Sequence, residues 1–405
     1  MILKKWIPYG RQSIDRHDIR SIIEVLNSTN LTQGRKVGEF EAALCDQTDA
    51  RFGISLNSGT SALHIACLTA GVSPGDEVIT SPNTFVASAN CAVYCGARPV
   101  FADINPKTYN ISPLAVEHKI TARTKAIIPV HFAGQSCDMK AICRVVKGAE
   151  KKYGHKIFII EDACHALGSF YNDKKVGSCF FSDMTVMSFH PVKHITTGEG
   201  GAVLTNEESL SRKLSLLRSH GITGDPEEFF NKDLAFLGGN PSPSAEVNPW
   251  YYEQIALGFN YRITDIQCAL GLSQLQKLHS FRKRRREIVD QYNLAFKDLR
   301  FVHIPLEARN CQSNFHLYVL LFDFEKIGLS RAELIGKLKT KGIQTQVHYI
   351  PVYLHSYYQR NFGTGLGDCP LAEEYYRKCL SIPLHPGLKD TDVKRIIKEI
   401  KKIAR

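Results

Sequence analysis

Apolar and polar positions alternate along residues 50–205 in two different periods. Short, continuous apolar runs rich in β-branched residues are separated by segments whose apolar residues recur at helical spacing. Strands of this kind are typical of a sheet that is buried on both faces. The runs lie at 53–56, 78–80, 99–103, 126–130, 156–161, 185–189 and 202–205, with helices predicted at 61–70, 87–94 and 139–152. This order predicts an α/β fold with mostly parallel strands.

The pattern changes after residue 224. Residues 224–255 combine glycines and prolines with the aromatic run at 250–252, which indicates a loop insertion serving as a lid, a subunit contact or a flexible segment. Helices are predicted at 264–277 and onward to 298, followed by strands at 315–322 and 344–349 and helices at 331–339 and 391–403. We therefore expect an N-terminal segment (1–35), a large domain (36–278) and a smaller α+β domain (279–405).

Composition excludes several classes of protein. The 405 residues are 43% hydrophobic and 22% charged, which argues against disorder and coiled coil. The stretch 78–97, which has no charged residue, is too polar to span a bilayer, and the N-terminus lacks the apolar core of a signal peptide. The twelve cysteines are scattered without metal-ligand spacing. We expect a cytoplasmic chain with reduced thiols, no metal and no membrane segment.

Positive charge is concentrated in the C-terminal part. The net charge is +11, and residues 281–405 contain 23 lysines and arginines against 13 acidic residues. Such a basic lobe suits an anionic partner, either a phosphorylated small molecule or a nucleic acid. The densest run, 282–286, is followed by apolar residues at mostly helical spacing. This favours the solvated face of an amphipathic helix over a nucleic-acid patch.

Lys193 is the first candidate for chemistry. It follows the strand predicted to end near Ser188 and precedes the glycine-rich turn at 198–201. A lysine is by default solvated. Here the flanking Pro191 and Val192 favour partial burial, which lowers the pKa of a lysine amine and makes it available as a nucleophile toward a carbonyl.

Two further strand ends carry polar groups. Glu161 and Asp162 close an apolar strand, where one carboxylate caps the next helix or contacts a ligand. Ser58, Gly59 and Thr60 form a strand-to-helix turn whose backbone amides suit a phosphate, although a plain helix cap has the same sequence. A phosphate cradle, a carboxylate and a lysine in this order together indicate a pyridoxal-phosphate (PLP) site.

The sequence resembles the DegT/DnrJ/StrS family of PLP-dependent sugar aminotransferases over essentially its whole length. The resemblance is carried by the segments SFHPVKHITTGEGG (188–201), RSHGI (218–222) and GFNYR (258–262). It implies the type I aspartate-aminotransferase fold, with a mixed, mostly parallel sheet in the large domain. Within the family, the WYYEQ cluster at 250–254 and the FHPVKHI stretch are most similar to members of pseudaminic acid biosynthesis. Those members aminate C4 of a UDP-linked 4-keto-6-deoxy-N-acetylhexosamine, with L-glutamate as donor, giving UDP-4-amino-4,6-dideoxy-N-acetyl-β-L-altrosamine.

The resemblance also implies roles for individual residues. Lys193 matches the Schiff-base lysine and proton shuttle, and Asp162 matches the partner of the pyridine nitrogen. The other implied cofactor contacts are Gly59, Thr60 and Ser188 at the phosphate, Phe85 and His165 at the ring, and Asn260 from a partner subunit. The implied substrate contacts are Tyr9, Thr29, Asn30, Leu31 and Thr32 in the N-terminal segment and Asn314 and His316 in the small domain.

The implied partners are a UDP-sugar, glutamate or 2-oxoglutarate, and a second copy of the chain in a homodimer. Dehydrating relatives carry histidine in place of the catalytic lysine, and Lys193 therefore favours transamination. One alternative is the same reaction on another 4-keto nucleotide sugar, of the GDP-perosamine type or a UDP-linked D-series isomer. Another is a non-catalytic regulatory or nucleic-acid-binding protein on the same fold, although an intact Lys193, Asp162 and Ser188 argue against it and no nucleic acid is expected.

Overall fold

The computed structural model describes residues 6–239 and 246–403. Its centre is a seven-stranded sheet whose neighbours follow the order β1-β9-β8-β5-β4-β2-β3. These strands are β1 (Phe52–Leu56), β2 (Glu77–Thr80), β3 (Arg98–Phe101), β4 (Thr124–Ile128), β5 (Phe158–Asp162), β8 (Met184–Ser188) and β9 (Gly201–Thr205), with β6 (Phe170–Tyr171) and β7 (Lys174–Lys175) outside it. All pairings are parallel except those of β9, which runs antiparallel to both β1 and β8. The α/β class and the mixed, mostly parallel sheet are thus confirmed.

The remaining elements complete the chain. The short strands are β10 (Ile222–Thr223), β11 (Glu253–Gln254), β12 (Val302–His303) and β13 (Cys311–Gln312), and the longer ones are β14 (Tyr318–Phe322) and β15 (Cys379–Ile382). The helices are α1 (Arg16–Leu26), α2 (Arg35–Thr48), α3 (Gly59–Thr69), α4 (Ala87–Tyr94), α5 (Pro113–Lys119), α6 (Met139–Tyr153), α7 (Glu208–Arg218), α8 (Lys232–Ala235), α9 (Asp265–Leu275), α10 (Leu278–Phe296), α11 (Phe324–Ile327), α12 (Arg331–Thr340), α13 (Ser356–Phe362), α14 (Pro370–Lys378) and α15 (Asp390–Ile403).

Side-chain caps fix where the helices near the sheet begin. Ser58 accepts from the Ser61 backbone amide, and the Ser61 hydroxyl accepts in return from the Ser58 amide, so α3 starts at the carboxyl end of β1. Thr264 and Gln267 make the same reciprocal pair at the start of α9. Because α3 is apolar on nearly all sides, it is buried in the core against the sheet.

A second apolar core lies in the C-terminal part. Strands β12, β14 and β15 form an antiparallel sheet, and α10, α12 and α15 pack against it. The predicted strand 315–322 begins only at Tyr318, because Phe315 has a left-handed backbone with φ of 50°. The predicted strand 344–349 is wrong: Gln346 pairs with Ser381 through a single bridge, and the chain then leaves the sheet. That departure turns residues 346–350 toward the cavity described below.

The insertion at 224–255 contains more structure than the expected loop. A 3₁₀ turn (Pro226–Glu228) and α8 lie within it, and β11 returns to pair with β10. Residues 240–245 of the predicted insertion lie outside the described residues. No helix within 6–239 and 246–403 has both the length and the apolarity needed to cross a bilayer.

The basic run in α10 is not the fully solvated face that was expected. Arg285 is 2% exposed, and its guanidinium donates to three backbone carbonyls of the C-terminal part. Arg286 forms a bidentate pair with Glu307, and Arg284 lies 2.7 Å from Asp390. The prediction is wrong for Arg285 because its side of α10 packs against the C-terminal part. There the guanidinium supplies hydrogen bonds to backbone carbonyls that are buried with it. These contacts occupy three of the five cations in the run 282–286 that motivated the nucleic-acid alternative.

Candidate active site

A cavity of about 620 Å³ opens at the carboxyl ends of the central strands, where parallel sheets place their ligands. Its floor comes from β5, β8 and the start of α3, and its far wall comes from residues 346–350 of the C-terminal part. Nine of the predicted site residues line it: Tyr9, Gly59, Thr60, Phe85, Asp162, His165, Ser188, Lys193 and His316. The volume is that of a site for a cofactor together with a small substrate.

Lys193 is the cation of this cavity. Burial lowers the pKa of its amine below the ordinary 10.5, against the opposing effect of Cys164 and Asp162. No ion pair holds the amine within the described part of the chain, so it is free to act on a carbonyl. This environment is the partly desolvated one that its apolar neighbours predict.

Asp162 ends β5 and is fixed by several hydrogen bonds. Its Oδ2 accepts from the Ser88 hydroxyl at 2.6 Å, and its Oδ1 accepts from the Cys164 amide at 3.2 Å. Ser88 in turn lies 2.7 Å from the Thr84 hydroxyl. Asp162 is 5% exposed and borders the cavity, so its carboxylate can meet a protonated nitrogen there. The sequence analysis did not identify Ser88 or its hydrogen bond to Asp162, because the two residues are far apart in sequence and their spacing matches no motif.

The turn before α3 forms an anion cradle. The amides of Gly59 and Thr60 belong to the first helical turn, where no intrahelical acceptor exists. A Cβ at Gly59 would lie 2.9 Å from the Ser188 Cβ, and one at Gly201 would lie 2.4 Å from the Ser58 carbonyl oxygen. Glycine is therefore needed at both positions for β8, β9 and this turn to approach so closely. The result is a gap bordered by backbone amides and the Ser188 hydroxyl.

Aromatic groups border the remaining space. Phe85 lines the cavity yet is 59% exposed, which leaves a ring face for a planar ligand. His165 lies across the cavity, 3.3 Å from the Tyr349 hydroxyl, and its ring centroid is 4.3 Å from that of His316. Burial, together with the charge of Lys193, holds the pKa of both imidazoles well below 6.5, so they are neutral at pH 7.

The other predicted residues lie outside this cavity. The loop 29–32 is exposed after α1, and Asn260 is exposed beside Ser219. Asn314 is buried and donates to the Leu167 carbonyl at 2.9 Å. The structure adds His348 and Tyr349 to the wall, which the sequence did not indicate because it assigned them to a strand.

The residues present fit PLP. Amides and a hydroxyl are available for its phosphate, the Phe85 face for its ring, Asp162 for its ring nitrogen and Lys193 for its aldehyde. The bound group would supply an electron sink that stabilises negative charge at an adjacent carbon.

Comparisons with known proteins agree with this chemistry. The family model for the DegT/DnrJ/EryC1/StrS aminotransferase family matches residues 12–401. The spore coat polysaccharide biosynthesis protein SpsC of Bacillus subtilis is 40% identical, covering 99% of this chain and 97% of SpsC. Among solved structures, Helicobacter pylori PseC, an aminotransferase involved in pseudoaminic acid biosynthesis, is 36% identical with a TM-score of 0.84, covering 98% of this chain and 99% of PseC.

A third likeness identifies the cofactor. The PLP form of the putative sugar aminotransferase Spr1654 from Streptococcus pneumoniae has a TM-score of 0.86 and 31% identity, covering 98% of both chains. The family match spans nearly the whole chain, and the cavity holds the groups that its chemistry needs. The chain therefore belongs to the DegT/DnrJ/EryC1/StrS family and is a PLP-dependent sugar aminotransferase.

Proposed function

We propose that the protein transfers the amino group of L-glutamate to C4 of a UDP-linked 4-keto-6-deoxy-N-acetylhexosamine. The product is UDP-4-amino-4,6-dideoxy-N-acetyl-β-L-altrosamine, an intermediate for pseudaminic acid, and the co-product is 2-oxoglutarate. The observation that carries the proposal is the 36% identity to PseC over 98% of the chain, together with a cavity that has room beyond the cofactor.

The residues of the cavity have distinct tasks in this proposal. Lys193 moves the proton between the two carbons that exchange the amino group, a role favoured by burial, which lowers the pKa of its amine. Asp162, held by Ser88, keeps the ring nitrogen protonated. Gly59, Thr60 and Ser188 orient the group through its phosphate. Remote binding of the nucleotide then positions the keto carbon.

A second candidate is the same reaction on a different 4-keto nucleotide sugar. SpsC is 40% identical to this chain, which is somewhat more than PseC, and it acts in spore coat polysaccharide biosynthesis. Both candidate reactions use Lys193 and Asp162. They differ in the sugar, which in this proposal is selected by the cavity wall at residues 346–350.

An NMR experiment separates these candidates. The protein is incubated with PLP, glutamate and the L-arabino UDP-4-keto-6-deoxy-N-acetyl sugar, and ring-proton couplings report the configuration of the amine at C4. We expect the L-altro product. No sugar amine, with the bound cofactor still changing its spectrum on addition of glutamate, would refute the substrate and retain the aminotransferase; the GDP-linked and D-series keto sugars are then assayed in the same way.

We further propose that two copies of the chain form one catalytic unit in the cytoplasm. The sugar diphosphate is anionic, yet Lys193 is the one lysine or arginine among the described residues lining the cavity, so countercharge must come from elsewhere. Large apolar side chains in the segment that precedes Asn260 are exposed, among them Leu257 at 82% and Trp250 at 71%. A second copy covering this surface would bring Asn260 to its partner's cavity. The cytoplasm is supported by twelve free cysteines.

Mixing two inactive variants tests the shared site. Lys193→Ala removes the lysine of one cavity, whereas Asn260→Ala removes the group given to the other. If Asn260 serves the partner, a mixed dimer contains one cavity with both groups intact, and activity returns on subunit exchange. Random pairing makes half of the dimers mixed, each with one intact cavity, which predicts about a quarter of wild-type activity. Failure to regain activity, with exchange shown by mass spectrometry, would contradict a shared site.

A further inference from the structure

Glu161 is a buried carboxylate that the proposed reaction does not use. It precedes Asp162 on β5 and points to the opposite face of the strand, away from the cavity lining. Its Oε2 lies 2.6 Å from the Nε2 of His131, and its Oε1 accepts from the hydroxyls of Ser182 at 2.5 Å and Thr185 at 3.3 Å. Burial alone would raise the pKa of Glu161, but its contact with His131 and the hydrogen bonds from the two hydroxyls lower it below its ordinary value.

The protonation of His131 follows from its second nitrogen. The backbone amide of Cys137 donates to the His131 Nδ1 at 3.1 Å, so Nδ1 carries a lone pair and no proton. The proton must then lie on Nε2, which donates it to Glu161. An imidazole with one proton is neutral. The pair therefore has a net charge of −1, although its geometry resembles a salt bridge.

Among the described residues, no second ion pair balances this charge. His131 and Glu161 are 0% and 5% exposed, and His131 is the one ion-pair partner of Glu161 in the described parts of the chain. The carboxylate lies near the hydroxyls already named and the cysteines Cys137, Cys143 and Cys179, whose pKa values are raised by burial and then by this charge. Lys174 and Lys175 border the small pocket on this side of the sheet, but neither forms an ion pair with Glu161, and the Lys175 amine is paired with Asp49. A buried negative charge in such surroundings acts over a longer range than one in water.

The pair is also connected to Asp162 through the backbone. The amide of His131 donates to the Asp162 carbonyl at 3.0 Å, and the Asp162 amide donates to the Pro129 carbonyl at 2.9 Å. The turn after His131 then accepts from the amide of His316, in the cavity wall, through the Ala133 carbonyl at 2.9 Å. A change at Glu161 therefore acts on Asp162 in two ways. It can shift the position of Asp162 through these backbone hydrogen bonds, and it changes the electrostatic field at the Asp162 carboxylate.

We propose that Glu161 and neutral His131 are positioning residues that hold a second negative charge behind Asp162 and strengthen the protonation of the cofactor's ring nitrogen. This inference rests on the proposed role of Asp162. The carboxylate of Asp162 would meet the ring nitrogen directly, whereas Glu161 acts through it from the other face of β5.

Glu161→Gln isolates the charge. The glutamine carbonyl can accept from His131 Nε2, and its amide can donate to the hydroxyls of Ser182 and Thr185, which also act as acceptors. The hydrogen bonds are kept and the charge is lost. In holoenzyme with ¹⁵N-labelled PLP, we expect the ring-nitrogen resonance to move toward its unprotonated value. We also expect the glutamate half-reaction to slow at least about tenfold, with an unchanged KM for glutamate.

Controls separate the possible failures. Ser182→Ala removes one hydrogen bond but keeps the charge, and should leave the ¹⁵N resonance in place. A wild-type resonance and rate in Glu161→Gln would overturn the proposal. Should that variant not fold, the ¹⁵N tautomer signals of His131 in the wild-type holoenzyme decide: a doubly protonated ring at pH 7.5 cancels the charge and overturns it. An unchanged resonance in Asp162→Ala would instead refute the proposed role of Asp162.

Discussion

Replacing Lys193 with alanine is expected to abolish turnover, with a loss of at least about 10³-fold in the glutamate half-reaction. The amine borders the cavity and its pKa is lowered by burial, so the wild-type enzyme has both a nucleophile and a proton carrier at one atom. Alanine removes both and leaves the anion cradle at Gly59 and Thr60 intact. Cofactor should therefore still bind, but non-covalently. The measurement is the spectral change of bound cofactor after rapid mixing with glutamate.

A matched control exists in the same chain. Lys213 is an exposed residue whose amine also has a pKa lowered by desolvation, and this amine donates to the Thr69 carbonyl at 3.0 Å, outside the cavity. Lys213→Ala should react with glutamate at the wild-type rate. Wild-type turnover in Lys193→Ala would contradict the assigned role. Loss of activity in both variants would point to a general effect of removing a lysine amine.

The sheet was predictable because most of its strands are short, continuous apolar runs, several of them followed by a helix. β5 and β8, for example, are buried along nearly their whole length, so hydrophobic burial on both faces decides their conformation. The segment 344–349 was also predicted as a strand, but it makes a single bridge at Gln346, and residues 346–349 line the cavity instead. How far this segment pairs as a strand depends on its contact with the distant Ser381, which the local sequence pattern does not reveal.

The site was predictable where neighbouring strand ends converge. Lys193, Asp162 and the turn at Gly59 each lie at or just after the carboxyl end of a strand of one mixed, mostly parallel sheet, so topology brings them to one edge. Ser88 and the pair of His131 with Glu161 were missed, since their contacts join elements 30 or more residues apart. Such pairings depend on side-chain direction within the fold, which spacing does not encode. The buried Arg285 in α10 was misjudged for the same reason.

Asp162→Ala is expected to cause the second-largest loss, about 10² to 10³-fold in the same half-reaction. The carboxylate is 5% exposed and is held by Ser88 and the Cys164 amide, so its negative charge lies at the cavity at little reorganisation cost. Without it the ring nitrogen loses its proton and the cofactor becomes a weaker electron sink. The affinity for PLP should fall only modestly, because the phosphate cradle is unaffected.

A cofactor analogue methylated at the ring nitrogen tests this cause directly. Its ring is permanently positive and needs no carboxylate, and alanine leaves room for the methyl group. In Asp162→Ala the analogue should restore part of the lost rate, whereas in the wild-type enzyme the methyl group would contact the Asp162 carboxylate and should slow the reaction. Equal rates with PLP and the analogue in Asp162→Ala would mean that Asp162 orients the site without controlling the charge of the ring. Because Ser88 fixes the carboxylate at 2.6 Å, Ser88→Ala should show a smaller loss of the same kind.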